Sequence, residues 1–462
     1  MSSVAPDPGS FRDPGSRIYL DGGRVLRAVY PASAKDYEAF RDSGLLARLI
    51  ADGRLLNSEE IGTANSPDPD AAYTLEHPRL DFISYPYEWP FALLKSSALL
   101  QLDLLLAALD DGFTMSDATA YNVQFVGTDP VFIDHLSFRP YRDGEIWAGH
   151  RQFCMQFLNP IFLWSRFGVP PNSWFRGSLE GIEPEQLAPL LRLRDRLSWT
   201  ALTHIALQAS LQKRANSGGG GDTPARQAKL SRTSFRGVLS GLRSFIAKAE
   251  PPGGRTVWDR YANANSYGAE EAEAKRSFVR RMAEAVKPGL LFDLGCNTGD
   301  YSIAAIEAGA RRAVGFDFDF GALDQAVQRS QGSKLPFLPL WLDATNPSPD
   351  QGWAQRERGG FDRRVRGDAI FALAFIHHIA IARNVPLPMV IDWIMAIAPA
   401  GVIEFPPKSD PMVQRLLRNR PDIFPDYDEA HFIAAVEARG RIVEKQHLSK
   451  GGRLLIWYDR SN

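Results

Sequence analysis

From residue 291 onward, short runs that are almost wholly apolar alternate with polar or glycine-rich stretches. The runs are Leu291–Leu294, Ala313–Phe316, Leu338–Leu342, Asp368–Phe375 and Val402–Phe405. Strands buried on both faces of a parallel sheet read this way, because neither face can be polar. A helix over Tyr301–Glu307 is expected between the first two. Arg441–Leu448 and Leu454–Trp457 flank Ser449-Lys450-Gly451-Gly452, the pattern of a closing hairpin. The front of the chain is patterned differently. Arg17–Tyr30 reads as a hairpin turning at Asp21-Gly22-Gly23, and Ala34–Leu56 as a helix with Phe40, Leu45, Leu46, Leu49 and Ile50 apolar. Leu80–Tyr85 reads as a strand, Trp89–Leu109 as a long amphipathic helix, and Val123–Val126 with Pro130–Ile133 as a strand pair. The expected fold class is α/β: a C-terminal doubly wound, Rossmann-like sheet with a terminal antiparallel hairpin, plus an N-terminal α+β domain.

Composition narrows this picture. A chain of 462 residues is too long for one domain of ordinary size. Net charge is −1, so no global attraction to nucleic acid or an anionic surface is expected, and no aromatic-plus-basic run suggests RNA binding. Two cysteines, Cys154 and Cys296, exclude a disulfide framework and a cysteine-rich metal site; no metal site is expected, and a reducing cytoplasm is the simplest setting. Lys95 and Asp103 interrupt one apolar window, and His377, His378, Arg383 and Asp392 another, so neither is expected to span a membrane. Residues 1–16, rich in Ser, Pro, Gly and Asp, read as a disordered tail without the apolar core of a signal peptide. Ala215-Asn216-Ser217-Gly218-Gly219-Gly220-Gly221-Asp222-Thr223-Pro224 reads as linker. The expected division is a tail over 1–16, an α+β domain over 17–210, a flexible basic linker over 211–256 carrying one amphipathic helix near Phe235–Ala247, and an α/β domain over 257–462. No pattern fixes an oligomeric state.

The strongest chemical signal is Leu291-Phe292-Asp293-Leu294-Gly295-Cys296-Asn297-Thr298-Gly299, a buried strand running into an acid and a glycine-rich turn. Eighteen residues past Gly299, the next strand ends in Asp317. Such an acid at a strand's carboxyl end can accept both hydroxyl protons of a ribose. A dinucleotide fold wants G-x-G-x-x-G so that a helix N-terminus can hold a pyrophosphate. Here the spacing is D-x-G-x-x-x-G, and the acid would repel a pyrophosphate while welcoming an ammonium and a sulfonium. The turn resembles motif I of the class I S-adenosylmethionine-dependent methyltransferases, and the resemblance covers about Val257–Asp459. It implies S-adenosyl-L-methionine as cofactor, held by Asp293, Gly295, Cys296, Asn297 and Gly299 of the turn, Asp317 at the ribose and Asp343 at the adenine amino group. Asp293 and Gly295 would lie along the methionine part, and Tyr261 and Tyr267 in Trp258–Tyr267 would fold over the cofactor as a lid.

A methyl acceptor oxygen needs a base with a pKa near neutrality. His377 and His378, directly after the fourth strand, are the candidate catalytic residues. The [DN]-P-P-[YFW] signature of methyltransferases that act on planar amino groups is absent there, which favours a small-molecule or glycan hydroxyl as acceptor. Glu404, Lys408 and Asp410, after the fifth strand, are candidates for recognising a polar substrate or are simply a surface loop.

In the front half, Asp117, Asn122 and Asp134 follow the order of a kinase catalytic loop and its metal-binding acid. The region resembles a degenerate protein-kinase-like domain. It has no glycine-rich loop near residue 22, Arg27 stands on the strand where the lysine belongs, and Asp134-His135-Leu136 replaces D-F-G. The expected role is positioning or recognising substrate. The two halves together, with Ile376-His377-His378 and Ile403-Glu404-Phe405, are similar to the rhizobial host-specific nodulation proteins and their bacterial relatives. The implied function is a methyltransferase. The alternatives are a non-catalytic pseudo-methyltransferase joined to a pseudokinase, or a bifunctional methyltransferase and phosphotransferase.

Overall fold

The computed structural model describes residues 4–192, 202–206, 230–252, 269–418, 421–448 and 452–461. It divides into two units: Met1–Gly253 with Gln351–Arg358, and Gly254–Asp350 with Gly359–Asn462. The glycine-rich linker and the aromatic segment Trp258–Tyr267 lie outside the described residues.

The first unit opens on a four-stranded antiparallel sheet of order β1-β2-β4-β3, with β1 Ser16–Asp21, β2 Arg24–Val29, β3 Glu59–Glu60 and β4 Tyr73–His77. Asp21 pairs with Arg24 across Gly22-Gly23, whose φ values of 54° and 98° are those that a two-residue turn between twisted strands demands. The expected tail is tied down. Asp7 N–H donates to Ile18 O at 2.7 Å, and Arg12 pairs with Glu357 at 2.6 Å. The expected long helix after the hairpin is two, Pro31–Asp42 and Leu45–Ala51, split where Gly44 takes φ 78°. Leu80–Tyr85 is not a strand. The side chain of Gln124 bonds both Ser84 N–H and Ser84 O at 3.0 Å, so an amide takes the place of a strand partner. Two small antiparallel pairs complete the unit: β5 Phe113–Met115 with β8 Phe138–Pro140, and β6 Val123–Val126 with β7 Asp129–Phe132.

The helix Phe91–Asp110 is long and apolar enough to cross a membrane, but most of it is buried in the unit's core, with Leu93, Leu94, Ala98, Leu102 and Leu105 enclosed. Its flank is covered by Arg232–Lys248, which buries Phe235, Leu239, Leu242 and Ile246. The charges that interrupt the apolar run serve this docking: Lys95 Nζ donates to Ala249 O at 2.8 Å, and Asp103 accepts from Arg243 Nη2 at 3.0 Å. Residues 230–252 are therefore part of the first unit rather than linker.

The second unit is built on seven strands: β9 Leu291–Leu294, β10 Ala313–Asp317, β11 Phe337–Trp341, β12 Ala369–Ala372, β13 Ala400–Phe405, β14 Arg441–His447 and β15 Leu454–Asp459. Their order is β11-β10-β9-β12-β13-β15-β14. The first five are parallel, and β15 enters antiparallel between β13 and β14. This is the doubly wound sheet closed by an antiparallel hairpin that the sequence implied; the hairpin turn at 449–451 is outside the described residues. Strand order reverses between β9 and β12, so the switch point at which open α/β sheets bind ligands lies beyond Leu294 and Ala372.

If Arg232–Lys248 is structural, Leu239→Ala should cost about 2–5 kcal/mol of the first unit's stability, as for other fully buried leucines. Denaturant unfolding checks this. A change within error would show that the helix does not pack there in solution.

Candidate active site

The glycine-rich turn is held by β10. Gly295 and Cys296 both donate to Phe316 O, at 2.8 and 3.1 Å, which bends the chain sharply out of β9. Gly295 and Gly299 have φ of 79° and 85°, and Asn297 joins them at 49°. A Cβ on Gly299 would come within 2.4 Å of the Phe337 ring, and one on Gly315 within 2.7 Å of Cys296 Sγ. Close packing therefore requires both glycines, and Gly299 is required by its conformation as well. Asp300–Glu307 then begins as a helix directly after the turn.

Asp317 ends β10 with both carboxylate oxygens oriented by backbone. Oδ2 accepts from Asn297 N–H at 2.8 Å and Oδ1 from Asp319 N–H at 2.9 Å. The remaining lone pairs stand at the carboxyl edge of the sheet. Asp343, just past β11, forms its own turn, with Thr345 N–H and Oγ1 both donating to Oδ1 at 3.0 and 2.7 Å. Asp293 is placed differently from its neighbours. Its carboxyl is buried beneath the turn and accepts from Ser302 Oγ at 2.6 Å. Burial pushes its pKa up to about 7, against the hydrogen bond from Ser302, with Asp317 adding to the rise. Cys296 is buried too, and burial raises its thiol well above the ordinary value, so it packs rather than reacts.

Sequence reasoning missed Phe318. It follows Asp317 directly and is 56% exposed, with Trp341 beside it at 5.9 Å. The signal was present in Phe316-Asp317-Phe318-Asp319-Phe320. Phe316 is buried in the sheet, while the next aromatic faces outward at the strand's end.

His377 and His378 sit in the short helix Ile376–Ala380, which starts four residues after β12. Their rings are 4.1 Å apart. His377 is 1% exposed, and neither of its ring nitrogens has a hydrogen-bond partner among the described residues. Burial lowers His377 well below the ordinary imidazole value and takes His378 to about 4, so both are neutral near pH 7. Buried unsatisfied nitrogens are costly and are tolerated where something else satisfies them.

Glu404, Lys408 and Asp410 are committed to structure rather than to an open edge. Glu404 is fully buried and accepts from Lys275 Nζ at 2.7 Å, Ala374 N–H at 2.7 Å and Arg453 Nη1 at 3.0 Å. Asp410 accepts from Arg453 Nε at 2.6 Å and caps the helix Pro411–Leu417, and Lys408 pairs with Asp422 at 2.7 Å. Lys275 and Arg453 are far from Glu404 in sequence, and no local pattern reveals them.

In the first unit, Asp117, Asn122 and Asp134 do converge. Asn122 Nδ2 lies 3.0 Å from Asp117 Oδ2 and 3.4 Å from Asp134 Oδ2, and Ser137 Oγ lies 2.6 and 2.7 Å from the two acids. Arg27 Nη1 donates to Asp134 Oδ1 at 2.8 Å. Burial, and then Asp134, raises Asp117 to about 6.

A doubly wound mixed sheet, with a glycine-rich turn and oriented acids at its carboxyl edge, defines the second unit as an α/β protein of Rossmann-like type. The chain belongs to the family of the nodulation protein NoeA. It is 45% identical over 471 residues to NoeA of Rhizobium meliloti (strain 1021), spanning 100% of this chain and 98% of that protein. No protein-family model matches. Among solved structures it is similar to magnesium protoporphyrin IX methyltransferase (ChlM) from Synechocystis PCC 6803 with bound SAH, at TM-score 0.31 and 18% identity over 44% of this chain and 94% of that one. It is also similar to the N-methyltransferase NodS from Bradyrhizobium japonicum WM9, at TM-score 0.30 and 12% identity over 42% of this chain and 98% of that one.

The raised pKa of Asp293 fixes the sign of a pH effect. Its folded form prefers the proton, so its contribution to stability is largest below the unfolded carboxyl value of about 3.9. That contribution falls as pH rises through the folded value of about 7. Asp293→Asn should therefore gain stability relative to wild type as pH is raised from 4 to 7 and hold a constant difference above it, as read by thermal unfolding at a series of pH values. A difference independent of pH would show that Asp293 is ionised in the folded protein.

Proposed function

We propose that residues 257–462 bind S-adenosyl-L-methionine and transfer its methyl group to a hydroxyl of a small-molecule or glycan acceptor. The carrying observation is Asp317, whose carboxylate is held by Asn297 N–H and Asp319 N–H at the edge where a ribose diol would be received. Three features fit the same ligand. Phe318 offers an exposed ring face beside Asp317, suited to a purine. Asp343 stands at the end of the neighbouring strand. The turn from Gly295 to Gly299 has no side chain to block close approach at its two glycines. The sulfonium supplies a methyl group already activated for transfer. The protein's tasks are to hold the acceptor in line, exclude water and take the hydroxyl proton. His377 or His378, neutral by burial, accepts that proton, and an acceptor hydroxyl would satisfy a His377 ring nitrogen that has no partner among the described residues. Cys154 and Cys296 form no disulfide, which fits a reducing cytoplasm.

Calorimetry with S-adenosylhomocysteine tests the cofactor. Wild type should bind, and Asp317→Ala should lose about 1.5–3 kcal/mol, the worth of hydrogen bonds to a charged group. Absence of binding to wild type, or equal binding by the variant, would refute this reading. With an acceptor found by screening, His377→Ala or His378→Ala should lower kcat by about 10²-fold or more. Unchanged kcat in both would remove histidine base catalysis.

A second reading concerns the front unit, and the Arg27–Asp134 ion pair favours it. We propose a kinase-like module that positions or recognises substrate without phosphorylating it. Arg27 already neutralises the acid that would have to hold magnesium, and Asn122 is bonded to both carboxylates. Thermal unfolding with Mg-ATP should shift little or not at all. A clear shift abolished by Asp134→Ala would show a working nucleotide site.

A further inference from the structure

A cluster in the first unit has ligand chemistry that neither reading uses. His150 opens the helix His150–Phe153, which continues into a π-helical turn, Cys154–Leu158, so His150 and Cys154 lie one turn apart on the same face. His204 lies on a second π-helical segment, Leu202–Ala206. π-Helical turns are rare and are found preferentially at functional sites, and here two of them supply one cluster. His150 Nε2 is 2.9 Å from His204 Nδ1 and 3.7 Å from Cys154 Sγ, and all three atoms lie within 4.8 Å of one another. A tetrahedral zinc site, with bonds of about 2.0–2.1 Å to nitrogen and 2.3 Å to sulfur, separates two nitrogens by about 3.4 Å and nitrogen from sulfur by about 3.6 Å. Shifts of about 1 Å or less would bring the three atoms to that geometry.

We propose that His150 Nε2, Cys154 Sγ and His204 Nδ1 form a mononuclear site for a borderline-soft divalent transition ion of the zinc class, with a fourth coordination position open to water or to an anionic ligand. The donor set excludes magnesium and calcium, which take oxygen. Cys154 and His204 are buried while His150 is partly exposed. Binding converts the Cys154 thiol to thiolate and releases one proton per ion to solvent; no redox change is involved. Three protein ligands with one open position is the arrangement of reactive rather than purely structural zinc.

The full chain, stripped with a chelator and desalted, should bind one zinc or cobalt(II) ion with a dissociation constant below about 1 µM. The cobalt form should show a thiolate-to-metal charge-transfer band in the near ultraviolet. Cys154→Ser should abolish that band, and His204→Ala should weaken binding by at least about tenfold. If Cys154→Ser fails to fold, Cys296→Ser decides the matter: it should keep both the stoichiometry and the band, and loss of the band in it would overturn the proposal. Failure of wild type to take up one equivalent, or a band that persists in Cys154→Ser and so arises from Cys296, would overturn the proposal. The cluster would then be a hydrogen-bonded histidine pair beside an inert thiol.

Discussion

Four buried charges hold the working edge of the second unit in place. Glu404 stands between Lys275 and Arg453, and Arg453 reaches on to Asp410, so two cations and two anions share one enclosed network. The partners are 129, 49 and 43 residues apart in pairs and come from the helix Ala269–Val286, β13, the residue before β15 and the start of the helix Pro411–Leu417. Such a network gains little over a well-packed apolar cluster, but removal of one member leaves an uncompensated buried charge and costs about 3–5 kcal/mol. Its specific effect here is geometric. Glu404 also accepts from the Ala374 N–H, and Ala374 is held at φ 50°, a conformation that alanine does not choose. Three residues later comes His377. The placement of the histidine pair is thus set by a charge network remote from it in sequence.

The acids of the turn divide in charge as well as in position. Asp293 lies within β9 opposite Gly315 of β10, two residues before Asp317, whose charge discourages ionisation of Asp293. Burial raises both acids; for Asp317 the backbone N–H groups of Asp319 and Asn297 oppose the rise, while Asp293, beneath the turn, is pushed up to about 7 against only the Ser302 hydroxyl. One acid is enclosed by the fold, and its neighbour stands at the end of its strand with both oxygens held by backbone N–H groups.

Much of this was legible in the sequence, for identifiable reasons. Strands β9 to β13 are buried on both faces, so their apolar runs had no competing interpretation. Glycines at positive φ and Asp317 at a strand end are local features. The convergence of Asp117, Asn122 and Asp134 was legible as well, because a tight helix–hairpin spacing leaves few other arrangements. Features that depend on distant partners were hidden. The backbone of Leu80–Tyr85 is satisfied by Gln124, forty residues on from Ser84, rather than by a neighbouring strand. The amphipathic helix expected near Phe235–Ala247 is present as Arg232–Lys248, but its charged solvent face suggested linker, and its four buried residues take on meaning only against Phe91–Asp110. Lys275 and Arg453 are ordinary surface residue types placed inside by Glu404.

Eight residues from the far side of the chain, Gln351–Arg358, belong to the first unit. There Gln351 Nε2 bonds Arg176 O at 3.0 Å, Glu357 pairs with Arg12, and the Arg358 guanidinium lies 4.6 Å from the Tyr121 ring centre. The order of synthesis therefore differs from the order of assembly. A ribosome releases β9, β10 and β11 before it delivers the segment that completes the body begun at the amino terminus, so that body must wait, partly finished, while a different sheet starts to form. A polypeptide ending at the glycine-rich linker would be an incomplete object rather than a free-standing domain. Its Arg12 and Tyr121 would present to water the surfaces that Glu357 and Arg358 otherwise cover.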